Sequence, residues 1–378
     1  MSIKRYVANS DNTIVNAFDT NLSTRATGSN SGRADVVEVY SIWERQQVSS
    51  SQATGSQELS RVLMQFPVDQ ISSNRTAGTI PASGSVSFYL RVFEAEHSRT
   101  IPKDFKLVVQ AISRSWEEGE GVDITTYKDT TRDEQGSNWM RASKDSAWSN
   151  VGGDYHSDPT YIQNFTGGVG DIELDVTQLV EEWIAGTKSN YGLGIRLSSS
   201  FEAYFSNSSG ADSGSVIHNP DGAKKSFYTK RFFARGSQYY FKRPVLEARW
   251  NSVTKDDRGE FYFSSSLAPA DDNLNTIYFY NYVRGRLKNI PSIGTGAIYV
   301  SLYSGSSDNT APSGSKLRLY TGETAITGGY VSTGIYSCSV GLTKSADVTL
   351  DRLFDVWHDN SNTEFFTGSI QTKQFKGN

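Results

Sequence analysis

Glu94 and Glu96 stand two residues apart in an alternating stretch, which puts both carboxylates on one strand face. Paired carboxylates can act as acid and base on a glycosidic bond, but such pairs normally sit on separate elements facing a cleft. A shared strand face opposite Phe93, Ala95 and His97 therefore reads as a solvated polar edge. Glu117, Glu118, Glu120 and Asp123 crowd a glycine-containing loop after Trp116, the sort of oxygen-rich loop that can hold Ca²⁺. The DxDxDG spacing of an EF-hand is absent, so these read as loop carboxylates in water. Trp116 itself reads as core. The chain has four histidines (His97, His156, His218, His358), none in an HExxH or HxH arrangement. Its single cysteine, Cys338, sits mid-strand and reads as a small buried residue; one thiol excludes an intrachain disulfide and a cysteine-based zinc site. GxSxG and phosphate-binding loops are missing. The expectation is a protein that is not an enzyme, with no metal and no cofactor.

Two features point to binding instead. Trp139 and Trp148 lie in a polar segment, 136–150, without clear periodicity, where exposed rings would stack on sugars. The competing and stronger reading is that both plug a β-sandwich from a long loop. The stretch from Lys224 to Arg243 holds seven Lys/Arg and no acid, interleaved with Phe227, Tyr228, Phe232, Phe233, Tyr239, Tyr240 and Phe241. Basic residues mixed with aromatics can bind single-stranded nucleic acid. Against that, 37 basic and 41 acidic residues give a net charge of −4, which excludes bulk attraction to nucleic acid or to an anionic membrane. The stretch reads as two closing strands with aromatics inward. Lys224, Lys225, Lys230, Arg231 and Arg235 would then point outward as a subunit interface for an acidic partner.

The elements that must carry these residues are mostly strands. Aromatics reach 12% with 20 Tyr and 19 Phe, against three Met and 33 Gly, a composition of antiparallel β-structure with polar turns. Residues 85–93 alternate, with Val86, Phe88, Leu90 and Val92 on one face; 36–42, 61–66 and 106–112 are further strands. One helix stands out over about 176–185, where Val176, Leu179, Val180, Trp183 and Ile184 form one apolar stripe. Asp175 with Gln178 would make a capping box, and Gly186 a left-handed end. Trp183 should point into the core. At 378 residues the chain is long enough for two or three domains. The spacing predicts a jelly-roll sandwich over 1–250, a polar linker over 251–259 and an immunoglobulin-like sandwich over 260–378. In the second part, 353–357 and 364–366 form a hairpin about a turn at 359–362, His358 should be exposed, and Gly334-Ile335-Tyr336 has the form of a tyrosine corner. No secretory signal follows Lys4-Arg5, and no apolar run approaches the ~20 residues that span a bilayer.

Several of these pieces occur in a set order. Arg61-Val-Leu-Met-Gln-Phe66 comes first, then Ser115-Trp-Glu-Glu-Gly119 and Asp175-Val-Thr-Gln-Leu-Val-Glu-Glu-Trp-Ile-Ala-Gly186. Asn190-Tyr-Gly-Leu-Gly-Ile195 and Arg243-Pro-Val-Leu-Glu-Ala248 complete the set. In order and spacing, residues from about 5 to 250 resemble the DNRLRE-type jelly-roll domains, which are similar to carbohydrate-binding modules. That resemblance implies the fold and leaves the ligand open, because such domains also serve as packing modules. The second part, with Ile277-Tyr-Phe-Tyr-Asn-Tyr-Val-Arg-Gly285 and Phe354-Asp-Val-Trp-His358, is similar to proteins of tailed-bacteriophage virions. The two resemblances imply an all-β structural protein made in the host cytoplasm and built into the virion. Neck, tail, baseplate and head decoration are all open, with neck or tail favoured because no repeat suggests a shaft or fibre. Its partners would be other virion proteins and copies of itself, with no nucleic acid or membrane; the alternative is a host-surface carbohydrate-binding module.

Overall fold

The computed structural model describes residues 2–18, 23–49, 52–96, 103–122, 136–206, 215–265, 267–269, 271–343, 350 and 352–373. His97 and Asp123 of the expected acidic sites lie outside them. The chain divides into two compact units, Met1–Ser252 and Val253–Asn378. Both are all-β sandwiches.

Among the described residues the first unit holds thirteen strands. They are β1 (Ser2–Val7), β2 (Ser10–Asn16), β3 (Val36–Ser49), β4 (Gln52–Gln65), β5 (Ser87–Val92), β6 (Phe105–Ile112) and the short β7 (Arg141–Ser143) and β8 (Ser146–Ala147). β9 (Tyr155–Phe165), β10 (Ile172–Asp175), β11 (Leu193–Leu197), β12 (Phe227–Phe233) and β13 (Val245–Trp250) complete it. One sheet has the order β1-β13-β5-β10; the other runs β12-β3-β4-β11-β6-β9, with β2 also on β4. First and last strands pair along their whole length, Ser2 opposite Trp250 to Val7 opposite Val245. Sequential strands mostly fall in different sheets, the jelly-roll manner of closing a sandwich.

Alternation decides which side chains the sheets enclose. Phe88, Leu90 and Val92 of β5 meet Val62 and Met64 of β4 and Leu107 and Val109 of β6 in the main core. The opposite face of the larger sheet is covered too. There Leu59 and Leu63 of β4, Ile14 and Ile112 pack under Trp116, Trp139 and Trp148 as a second core. This layer explains why β4 is apolar on both faces.

The expected helix is α2, Thr177–Ala185, with Leu179, Val180 and Trp183 buried. Gly186 ends it at φ 72°, in the left-handed region where glycine carries no Cβ penalty. The start differs from expectation. Asp175 accepts the Thr177 N–H at 3.0 Å, but Gln178 reaches forward to Glu182 instead of back, so no capping box forms. A second helix of equal length, α1 (Val68–Thr76), begins after Pro67. Only Val68 and Ile71 of α1 are buried, too thin an apolar stripe to stand out in the sequence. Arg75 of α1 clasps Glu181 of α2 with two bonds of 2.7 and 2.6 Å.

The second unit contains β14 (Phe261–Tyr262), β15 (Asn275–Tyr280), β16 (Tyr282–Val283), β17 (Arg286–Leu287), β18 (Ile298–Gly305) and β19 (Pro312–Ser313). It continues with β20 (Ile326–Ser332), β21 (Ile335–Val340), β22 (Arg352–His358) and β23 (Glu364–Lys373). The order β14-β23-β22-β18-β20-β21-β15 folds over one core, because β20 pairs with β18 through Ile326–Gly328 and with β21 from Gly329 onward. The path's ends are joined by a side chain: Asn275 accepts the Tyr262 N–H and donates to the Tyr262 carbonyl, both at 2.8 Å. The hairpin of β22 and β23 turns at Asp359–Asn362 as expected. Tyr336 is fully buried and pins the loop before β18, taking the Ile290 N–H and donating to the Gly294 carbonyl. It therefore ties a strand to a distant loop, some 42–46 residues upstream, where a tyrosine corner would bond a few residues back.

Part of the expected linker belongs to this unit. Asp257–Gly259 form a 3₁₀ turn, and Arg258 is anchored on buried Asp355 at 3.1 and 2.5 Å. Asp355 also accepts the indole N–H of buried Trp357, so the segment's end is held from inside the sandwich.

Candidate functional site: an aromatic ridge and a polar cleft

The expected outward basic strip does not exist as such. Lys230 is almost fully buried, paired with Glu94 and donating to the Gly168 carbonyl at 3.1 Å. Arg231 pairs with Glu38 beside it on β3, and Arg235 grips Glu118 with two bonds. Each of these cations answers a buried or half-buried carboxylate contributed from elsewhere in the same unit. Of the five expected interface residues only Lys224 and Lys225 are exposed, and Lys224 rests over the Tyr204 ring, 4.4 Å from its centre. Burial pulls the Lys230 ammonium below its usual range, and the Glu94 carboxylate opposes that pull.

The acidic candidates change meaning in the same way. Glu94 is the partner of Lys230, while Glu96 is exposed. Glu118 lies next to Asp11, whose carboxyl is pushed up to about 7 by burial, with the Glu118 charge adding to the effect. Arg235 sits between them: its N–H donates to Asp11 at 2.5 Å and its guanidinium to Glu118, so an arginine supplies the positive charge here. Glu117 is exposed and its carboxylate accepts the Lys144 N–H at 3.3 Å. Among the described residues no cluster of His, Cys, Asp or Glu has the geometry to hold a metal.

Trp139 and Trp148 are buried, at 0% and 6% exposure, so neither offers a ring to a sugar. Trp139 donates its indole N–H to the Ser215 carbonyl and Trp148 to the Asn138 carbonyl, each under 3 Å. The polar context of 136–150 reflects the loop that carries them over the sheet, not their own surroundings. His358, expected outside, is buried between Tyr299 and Ser301, whose hydroxyl meets Nε2 at 2.9 Å. Cys338 is buried as expected, and that burial pushes its thiol well above the usual range.

What the basic stretch does expose is aromatic. Tyr239, Tyr240 and Phe241 are 56%, 58% and 77% exposed on a 3₁₀ turn, Tyr240–Lys242, between β12 and β13. The ridge is braced: Tyr239 packs edge-on to Phe233, Arg243 lies over Tyr240 and Lys242 over Phe93. Three consecutive aromatics cannot all face inward on any regular element, and that was the available signal.

A cleft of about 870 Å³ lies on the outer face of the larger sheet of the same unit. Its floor is built where inward residues alternate with outward ones, so Arg61 of β4, Val108 and Gln110 of β6 and Arg196 of β11 point into it. Gly194 between them clears the way: a Cβ there would stand 2.0 Å from the Tyr155 ring, which lies across the strand. At the base Arg61 forms a two-bond pair with Glu202 at 3.0 and 2.9 Å, both nearly fully buried, and donates to the Gly152 carbonyl at 3.1 Å. Burial opposes the Arg61 charge, but the Glu202 carboxylate outweighs it and holds the guanidinium ionised. Arg61 and Phe66, read as one motif in the sequence, thus serve opposite sides of the sheet: Arg61 the cleft, and Phe66, just past the end of β4, the main core.

Comparison with protein-family models and with curated proteins finds no match to this chain.

Proposed function

We propose that the chain is a non-enzymatic structural protein of a tailed-phage virion, a neck, tail, baseplate or head-decoration component with neck or tail favoured. It would be made in the host cytoplasm and incorporated by docking onto copies of itself and other virion proteins. The observation that carries the assembly reading is the braced ridge of Tyr239, Tyr240 and Phe241. Tyr, Phe and Arg are enriched in protein interfaces, and large contiguous exposed aromatics on a soluble fold mark contact sites. The virion setting rests on the sequence resemblance and on the two β-sandwich units. The docking surface differs from the one expected from the sequence: three of that set, Lys230, Arg231 and Arg235, are engaged within the unit. The alternative, a host-facing carbohydrate-binding module, loses Trp139 and Trp148 as its platform.

The test is a Tyr240→Ser/Phe241→Ser variant carried in the phage. Both side chains are exposed, so the melting temperature should match the parent, while occupancy in purified particles should fall at least tenfold. Parent-level occupancy would remove the ridge as the docking surface.

A further inference from the structure

The second unit carries opposite charges at opposite ends of one strand. From Val253 to Asp272 the chain has five Asp/Glu against two Lys/Arg, a balance of −3. From Asn273 to Ser307 it has three Lys/Arg and no acid, a balance of +3. β15 starts beside the acidic stretch, where Asn275 bonds Tyr262, and its other end, Tyr280, leads through Asn281 into the β16–β17 hairpin. Six residues of strand hold those ends about 17 Å apart. That exceeds the ~10 Å over which exposed charges act at ordinary salt. Among the described residues, the ion pairs of this unit all belong to Lys255 or Arg258. Arg284, Arg286 and Lys288 are exposed and have no anion within the unit.

The basic end is a preformed projection. Arg284 and Gly285 turn the hairpin at φ 53° and 75°, as a tight two-residue turn requires. Asn281 closes its neck: its carbonyl accepts the Lys288 N–H at 3.0 Å, and its amide donates to the Lys288 carbonyl at 2.7 Å. Tyr282 is 62% exposed and Val283 stands exposed beside it, with Tyr330 and Val331 exposed at the adjoining end of β20. The acidic end is a hollow of about 350 Å³ walled by Tyr262, Phe263 and Leu274 together with Asp257 and Asp272. Asp257 accepts the Thr276 N–H at 2.8 Å and meets Lys255 at 3.2 Å, whereas Asp272 is exposed and has no cation. Leu267, between the lining residues Ser265 and Ala268, is 95% exposed. Each end thus joins exposed apolar surface to one sign of charge, the make-up of two complementary sides of a contact. Neither end complements itself, since a two-fold pairing of hairpins would set cations against cations.

We propose that copies of this chain associate head to tail through their second units, the β16–β17 hairpin of one copy seated in the hollow at the start of β15 in the next. The hairpin cations answer Asp272, and Tyr282 covers the apolar surface around Leu267. A heterologous contact of this kind closes into a ring or runs on as a filament, according to the rotation between copies. It names a partner within the assembly reading and rests on that reading for its setting, but it uses neither the ridge nor the cleft of the first unit.

Sedimentation velocity of the purified full chain over a range of concentrations tests it. The parent should associate as concentration rises and dissociate as salt is added. Tyr282→Ser/Arg286→Ser and, separately, Leu267→Ser/Asp272→Lys should each weaken association at least tenfold. All four positions are exposed, so both variants should melt with the parent. Mixed in equal amounts they should form a one-to-one dimer, because the first variant keeps an intact hollow and the second an intact hairpin. A parent that stays monomeric at every concentration, or a mixture no better associated than its parts, would overturn the proposal. A monomeric parent that binds poly-L-glutamate would overturn it in favour of a different acidic protein as the hairpin's partner. Loss of association in Tyr240→Ser/Phe241→Ser would overturn it too, by placing the contact on the first unit's ridge. The measurement needs no particles, so its failure is distinct from a failure to enter virions.

Discussion

Removing one member of the Arg61–Glu202 pair should be among the costliest changes available in the first unit. Both side chains are nearly inaccessible, 8% and 6% exposed, and each satisfies the other through two bonds. Arg61→Met leaves the Glu202 carboxylate buried without its counter-charge, a situation that costs about 3–5 kcal/mol. It also strips the Gly152 carbonyl of its donor and the Trp139 ring of the guanidinium 5.3 Å above it. For a unit of this size, about 2–4 °C is lost per kcal/mol, so the transition should fall by roughly 6–20 °C. Glu202→Leu should cost a similar amount for the converse reason. The double variant Arg61→Met/Glu202→Leu should lose much less than the sum, because replacing a buried pair with apolar groups is often near neutral. Urea unfolding followed by tryptophan fluorescence reads this directly, since Trp139 belongs to the same cluster. Single variants within about 1 kcal/mol of the parent, or an additive double, would refute the argument that the pair is an isolated buried couple.

Three further outcomes are expected. Lys230→Glu sets a second carboxylate against Glu94 in a buried place and should abolish stable folding of the first unit, whereas Lys225→Glu, exposed, should shift stability by less than about 0.5 kcal/mol in chemical denaturation. Trp183→Ala should cost about 3–5 kcal/mol by the same assay, as truncation of a buried aromatic does. Asp11, whose folded carboxyl is raised from the ordinary 3.8 to about 7, binds its proton more readily folded than unfolded. Its contribution should therefore be intact below about pH 4, decline as the pH climbs to about 7 and stay flat above, and stability–pH curves of parent and Asp11→Asn should diverge across that window in favour of the variant.

Local patterns carried most of the strands, α2 with its glycine end and the hairpin at 359–362, because each is set by residues a few positions apart. The ion pairs were not legible. Lys230, Arg231 and Arg235 look outward when read as an alternating stretch, and their partners Glu94, Glu38 and Glu118 lie more than a hundred residues away. The tryptophans of 136–150 were open between core and surface, since nothing local reveals that the larger sheet is covered on both faces. α1 escaped notice because packing against α2, through Arg75 and Glu181, supplies what its own periodicity lacks. The cleft required the register of β4, β11 and β6, which brings Arg61, Arg196 and Gln110 to one face from three distant segments. The aromatic ridge was read inward with the rest of its stretch; Tyr239, Tyr240 and Phe241 instead lie exposed, as three consecutive rings cannot share one face of a strand.

The proposal that this chain is a virion component can be put to a direct measurement. Quantitative mass spectrometry of gradient-purified particles, set against the lysate from which they came, measures that directly. A virion component should be found in a fixed ratio to the capsid protein across independent preparations and be retained after a salt wash. Presence in the lysate with loss from particles on purification would contradict it.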